Sequence, residues 1–98
     1  MSRGATRIGD LDIVHDCQVP VRMVGSDNVF VNGISWSRMG DVNTPHKYGG
    51  ECDKMHSAPI ATGSTSVFIN GKGAGRVGDA VAGCTMVATG STNVFAGG

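Results

Sequence analysis

The sequence is poor in large aromatic side chains and in charge, and it has no long apolar run. Its aromatic residues are three Phe, one Trp and one Tyr, and eight basic residues balance eight acidic ones. A net charge near zero argues against a nucleic-acid partner, because such binding neutralises phosphates with Lys and Arg. No stretch approaches the roughly 20 apolar residues that span a bilayer. Residues 1–4 lack the apolar segment of a secretory signal, so we expect none.

Cysteine is also scarce, with three residues at positions 17, 52 and 84. An odd number of cysteines without a secretory signal argues against a disulfide framework and favours free thiols or metal ligands. A Cys17–Cys52 disulfide in an oxidising setting remains an alternative, as does burial of either residue as a small apolar side chain. A chain of 98 residues with so few large apolar side chains needs a stabilising crosslink in addition to its core.

Glycine, by contrast, is abundant, with 16 residues, and it marks an internal repeat. The segment GSDNVFVNG at 25–33 recurs as GSTSVFING at 63–71 and, in shortened form, as GSTNVFAG at 90–97. A second motif, R-x-G-D, alternates with the first at 7–10, 38–41 and 76–79. Two alternating motifs, each in three copies, predict a fold built from three equivalent units.

Each unit is predicted to be a β-hairpin. Short β-branched and aromatic segments stand between turn formers, and Asn-Gly, found at 32–33 and 70–71, is a pair that type I′ hairpin turns prefer. No window has the 3.6-residue apolar period of a helix. The predicted fold is an all-β, small cone of three pseudo-three-fold-related β-hairpin repeats, a single domain over residues 1–98. The loops 11–24, 42–62 and 80–89 then gather at one end, the apex.

One position after the R-x-G-D motif carries a metal-ligating residue in every repeat. The fifth residue after the motif's aspartate is His15, His46 or Cys84. If the repeats are related by a three-fold axis, these side chains converge near it. Equivalent placement of three His or Cys residues therefore predicts a shared metal site, with zinc as the expected ion.

A structural zinc site takes four nitrogen or sulfur ligands. His56, the remaining histidine, is the leading candidate for the fourth position, with Cys52 and then Cys17 as rivals. Four protein donors argue against a catalytic zinc, which keeps an open position for water. We therefore predict no enzymatic activity. A small zinc-binding or thiol-redox carrier that uses Cys17 and Cys52 is the alternative function.

The other residues of the repeats have structural interpretations. The aspartates of R-x-G-D are predicted to be turn residues, because Asp side chains hydrogen-bond nearby main chain. Arg38 and Arg76 either pair with these aspartates or remain solvated. Trp36 is expected in the core or in an interface.

These repeats resemble those of the PAAR-repeat proteins, which form the spike tip of contractile phage tails and of bacterial type VI secretion systems. The segments that carry the resemblance are GSDNVFVNG, GSTSVFING, GSTNVFAGG and KGAGRVGD (72–79), and it extends over residues 7–98. The Pro-Ala-Ala-Arg signature is degenerate here, since Gly73-Ala74-Gly75 precedes Arg76 and Ser35-Trp36-Ser37 precedes Arg38.

The resemblance implies a β cone whose point is held by one zinc ion on His15, His46, His56 and Cys84. It also implies that the broad base docks, as a monomer, on a trimeric β-helix spike. The implied role is a non-enzymatic one, sharpening the spike and aiding membrane piercing in transient contact with a target cell envelope. A phage virion is the favoured location, and secretion through a type VI system is the alternative.

Overall fold

The computed structural model describes residues 2–98, which form an all-β molecule, as predicted. These residues contain eight short strands and no helix, and hence no helix that could cross a membrane. The strands are β1 (Arg3–Gly4), β2 (Phe30–Val31), β3 (Ile34–Ser35), β4 (His46–Tyr48), β5 (Lys54–His56), β6 (Phe68–Ile69), β7 (Lys72–Gly73) and β8 (Phe95–Ala96). They pair antiparallel as β1 with β8, β2 with β3, β4 with β5 and β6 with β7.

Two of the predicted repeat hairpins, β2–β3 and β6–β7, follow the chain directly. Their turns hold Asn32 and Asn70 at a φ of 54°, and the following glycines also have positive φ, as a type I′ turn requires. The third hairpin joins the two ends of the described chain, since β8 pairs with β1. Residues 3–10, RGATRIGD, therefore complete the third repeat and correspond to KGAGRVGD at 72–79.

Equivalent contacts join the three repeats into a closed ring. Isolated β-bridges link each R-x-G-D arginine to the residue that follows the second strand of a hairpin: Arg7 to Trp36, Arg38 to Ala74 and Arg76 to Ala5. The same arginines donate from Nη1 to the turn of that hairpin: to Asn32 Oδ1, Asn70 Oδ1 and the Gly97 carbonyl. Gly97 stands where the other repeats have asparagine, and its main-chain oxygen replaces the missing side-chain oxygen. The pseudo-three-fold arrangement is thus preserved in the shortened repeat.

The hydrophobic core consists of two small clusters. One lies among the hairpins and comprises Ala5, Val31, Trp36, Ile69, Ala74 and Ala96. The other comprises Ala58, Ile60, Val81 and Val87, with Cys84 packed against it. Trp36 is a core residue, and its indole Nε1 donates to the Gly75 carbonyl at 2.9 Å. Such limited apolar packing leaves much of the stability to polar contacts and to crosslinks.

The R-x-G-D motifs form self-contained turns. In each one the aspartate accepts hydrogen bonds from the main-chain nitrogen and the guanidinium of its own arginine. Arg38 and Arg76 therefore pair with the aspartates rather than remaining solvated. Burial alone would raise the pKa of Asp10, but the hydrogen bonds and charge of Arg7 outweigh it and hold that pKa below its usual value.

The loop predicted over 42–62 contains a further hairpin, β4–β5. Its register places His46 opposite His56, so two of the predicted ligands form a cross-strand pair. Its turn folds onto the 15–18 turn of the first loop, where the Asp16 carboxylate accepts from Gly49 N at 2.9 Å. The prediction of an irregular loop was wrong here because two polar strands of three residues carry no clear alternation.

Cys17 and Cys52 form a disulfide between these two turns, with their Cα atoms 6.0 Å apart. The expectation against a disulfide, drawn from the odd number of cysteines, was wrong, and the alternative pairing is the one found. The count misled because the third cysteine, Cys84, is a free thiol with a separate environment.

Replacing both Cys17 and Cys52 with Ser is expected to destabilise the protein by about 2–4 kcal/mol, the usual effect of losing such a crosslink. Chemical denaturation of the oxidised wild type and of the double variant measures this difference. Bound metal should remain in the variant, because neither sulfur belongs to the His/Cys cluster described below. Loss of the metal together with the disulfide would contradict that separation.

Candidate metal centre

The structure brings the four predicted ligands into one cluster at the tip of the loops. The ligand atoms of His15, His46, His56 and Cys84 all lie within 4.8 Å of one another. His46 begins β4 and His56 ends β5, while His15 starts the tight turn closed by its bond with Gln18. Cys84 lies in a turn in which its main-chain nitrogen donates to the Val81 carbonyl. Three separate loops thus supply one site.

The His15 ring is at the centre of the cluster. Its Nδ1 lies 3.1 Å from His46 Nε2, 3.1 Å from His56 Nε2 and 2.9 Å from Cys84 Sγ. Cys84 Sγ lies 3.3 Å from His46 Nε2. Tetrahedral zinc with bonds of about 2.0–2.3 Å separates its ligands by roughly 3.3–3.8 Å. These four separations are at or slightly below that range, and all the ligand atoms lie within 4.8 Å, so the cluster has about the size of a metal site.

Hydrogen bonding alone does not satisfy these atoms. A neutral imidazole nitrogen either carries one hydrogen or presents one lone pair, so His15 Nδ1 can bond only one of its three close neighbours. The other two are left without a hydrogen bond to it. A cation at the centre would instead accept a lone pair from each of the four ligand atoms, so these residues can hold a metal ion.

The His46 ring is already oriented for this role. It is 2% exposed, and its Nδ1 lies 2.8 Å from the Thr44 carbonyl. That carbonyl accepts the Nδ1 hydrogen and so leaves the Nε2 lone pair directed into the cluster, the usual arrangement of a metal-binding histidine. On the far side of His15, Nε2 lies 3.6 Å from the Asp16 carboxylate.

Tyr48 covers one side of the cluster, and nothing in the repeat pattern points to it. Its ring stacks on His56 with centroids 4.0 Å apart and on His15 with centroids 5.4 Å apart. Because Tyr48 lies on β4 two residues after His46, both side chains point to the same side of the hairpin. The aromatic ring holds two imidazoles in place and shields them from water.

The pKa of a histidine and the pKa of the cysteine in the cluster shift in opposite directions. Burial, together with the nearby His46 and His15 rings, lowers the pKa of His56 and favours its neutral, ligating form. Burial raises the pKa of the Cys84 thiol. A bound cation would reverse this second effect, because a coordinating thiol loses its proton.

The rival ligands named from the sequence, Cys17 and Cys52, are not in the cluster. Both sulfurs are consumed by the disulfide. The donor set formed by the described residues is therefore three histidine nitrogens and one cysteine sulfur.

Comparison with known protein families gives a match for this chain. The sequence model of the PAAR motif matches residues 50–98, half of the chain, a range that includes His56 and Cys84. No curated protein matches the chain. The repeats in residues 3–49 have the same hairpins and R-x-G-D turns as those in the matched half. The chain belongs to the PAAR motif family.

Proposed function

We propose that this protein is the zinc-stapled tip of a trimeric β-helix spike, which it caps and sharpens so that the spike can pierce a membrane. The family is a structural one, associated with spikes of contractile tails and type VI secretion systems. The observation that carries the proposal is the convergence of three repeat-equivalent side chains, with His56, at the apex. A narrow point has too little volume for a core, and a metal crosslink can replace it.

Zinc is the metal that this donor set favours. Three imidazole nitrogens and one thiolate suit zinc, whereas Mg²⁺ and Ca²⁺ prefer oxygen ligands. Four protein ligands close a tetrahedral site and leave no position for a reactive water. We therefore assign the metal a structural role and the protein no enzymatic activity.

The docking surface proposed for the spike lies on the outer side of the three repeat hairpins. Phe30, Phe68 and Phe95 are repeat-equivalent, and their exposed fractions are 57%, 60% and 53%. Each is followed by a buried residue of the core cluster, namely Val31, Ile69 or Ala96, and alternation directs the phenylalanines away from that core. Three equivalent exposed aromatic rings offer one similar contact to each subunit of a three-fold partner.

Single Phe-to-Ser substitutions at these three positions test the docking surface. Each is expected to weaken binding to a trimeric β-helix spike fragment from the same genome by about tenfold, the loss of roughly 1.4 kcal/mol. The three losses should be similar because the positions are equivalent. Titration of the immobilised spike fragment measures them.

Met55→Ser is the matched control. Met55 is as exposed as the phenylalanines, at 61%, but lies on strand β5 of the apex hairpin β4–β5. Its binding should equal that of the wild type. Weak binding by Met55→Ser with normal binding by the Phe variants would place the docking surface at the opposite end.

For the location of the tip we favour a phage virion over secretion through a type VI system. Mass spectrometry of purified virions from the host strain distinguishes the two. Absence from virions, together with appearance in a secreted fraction that depends on the type VI apparatus, would support the alternative.

A further inference from the structure

Two tight turns at the apex lie against each other, and we refer to them together as the apex clasp. One turn, residues 15–18, begins at His15. The other, residues 49–52, connects the strands β4 and β5, which carry His46 and His56. Three of the four candidate metal ligands therefore belong to the two elements that the clasp joins.

Two of the contacts in the clasp are hydrogen bonds. Lys47 N donates to Gln18 Oε1 at 2.6 Å, and Gly49 N donates to the Asp16 carboxylate at 2.9 Å. Both bonds are exposed, so water competes for the same groups and each bond contributes little. The third contact, the Cys17–Cys52 disulfide, is covalent and is therefore the strong member of the clasp.

The disulfide lies close to the ligands along the chain. Cys17 stands two residues after His15, and Cys52 stands four residues before His56. A crosslink so near to both ligands keeps a detached imidazole beside the others, at a high effective concentration. Return of the ligand is then favoured over full opening of the site.

The turn that contains Cys52 needs support from outside itself. Cys52 has a φ of 56°, in the left-handed region that residues other than glycine, asparagine and aspartate disfavour. Within the turn, Cys52 N donates to the Gly49 carbonyl at 3.1 Å. Breaking the disulfide would thus remove the covalent support of a conformation that Cys52 does not favour by itself.

The disulfide is within reach of a reductant. Cys17 and Cys52 are both half-buried, and their neighbours Asp16 and Glu51 are exposed. Reduction by a dithiol breaks the sulfur–sulfur bond and transfers two electrons and two protons, so that two thiols form and the dithiol becomes a disulfide. Cys84, a free thiol, takes no part in this step.

We infer that the Cys17–Cys52 disulfide is a redox-controlled lock on the metal site. With the disulfide formed, the two turns stay together and His15 remains beside His46 and His56. With the disulfide reduced, the turns separate by local opening, and the ligands become free to exchange the metal. This inference rests on the proposed zinc site and adds to it a means of regulation by dithiol reductants.

The rate at which zinc passes to an excess of a chromophoric chelator tests the lock. Three zinc-loaded samples are compared: oxidised wild type, wild type reduced with a water-soluble phosphine, and the variant Cys17→Ser with Cys52→Ser. The phosphine becomes its oxide with an oxygen atom from water, and it is used because it offers the metal no thiol.

Asp10→Ala is the matched control. Its carboxylate pairs with Arg7, outside the clasp, and its loss is expected to lower the stability of the fold by an amount comparable to loss of the disulfide. A general effect of stability on zinc release would therefore appear in this variant too.

All samples should hold one zinc per chain before the chelator is added. Release from reduced wild type and from the double variant should be about 30-fold faster than from oxidised wild type, the lower end of what such a crosslink contributes. Asp10→Ala should release zinc at a rate close to that of the oxidised wild type.

Equal rates from oxidised and reduced wild type would overturn the inference. So would an Asp10→Ala variant that releases zinc as fast as the reduced protein, because the disulfide would then act through global stability. If reduction unfolds the wild type, seen as loss of its circular dichroism spectrum, the disulfide serves folding alone and the inference is equally overturned. A wild type that binds no zinc would instead remove the proposed metal site itself, so the two failures are distinguishable.

Discussion

Removal of the proposed zinc ion from the purified protein is expected to lower the melting temperature by about 16–32 °C. At a free zinc concentration 1,000 times the dissociation constant, the ion contributes about 4 kcal/mol to stability, and each kcal/mol shifts the melting temperature of a domain of this size by about 4–8 °C. The effect is large because the apolar cluster nearest to the site has four residues. Differential scanning calorimetry with and without a chelator measures the shift.

Substitution of single ligands should reproduce the effect of the chelator. His46→Ala and Cys84→Ser each remove one of the four donors and should lose both the zinc and most of the stabilisation. Lys54→Ala, on the exposed side of the same apex hairpin, serves as the control and should retain both. A melting temperature of His46→Ala equal to that of the zinc-loaded wild type would show that the metal is not the crosslink that stabilises the fold.

Loss of the Asp79 carboxylate is expected to destabilise the protein by about 3–5 kcal/mol, the usual result of breaking a buried ion pair by removing one partner. The Asp79 side chain is 0% exposed and that of Arg76 is 4% exposed. Asp79 also accepts from Arg3 and Thr62, each at 3.1 Å. Asp79→Ala therefore leaves a buried guanidinium without its counter-ion, and urea denaturation of the variant measures the cost.

Asp10→Ala provides the matched control for Asp79→Ala. It removes the equivalent residue of another R-x-G-D turn, where the aspartate side chain is 12% exposed and that of its arginine 18% exposed. Because water can partly solvate the arginine left behind, we expect a smaller loss, about 1.5–3 kcal/mol. Equal losses at the two positions would show that burial does not set the strength of these turns.

The features that the sequence predicts are those that repeat. The three hairpins, the turns of the R-x-G-D motifs and the convergence of His15, His46 and Cys84 all follow from copies of a pattern, because equivalent residues occupy equivalent places. His56 has no equivalent in the other repeats. The prediction that His56 is the leading fourth ligand rests on elimination, and the pairing of His56 with His46 brings it into the cluster.

The features that the sequence does not predict are those that break the repeat. The third hairpin is assembled from both ends of the described chain, and periodicity along the chain carries no signal for such a closure. Hairpin β4–β5 and Tyr48 belong to an insertion in one repeat only, and the disulfide joins that insertion to the turn of the first loop. Asp12 and Arg22 form a buried ion pair at 2.7 Å at positions where the third repeat has Val81 and Val87, and an apolar pattern cannot anticipate such a pair.

The central claim is that one zinc ion is held at the apex by three histidine nitrogens and the Cys84 sulfur. X-ray absorption spectroscopy at the zinc edge of the purified protein tests it most directly. The predicted result is one zinc per chain with three nitrogen ligands at about 2.0–2.1 Å and one sulfur at about 2.3 Å. A zinc shell with two or more sulfurs, or with none, would contradict it.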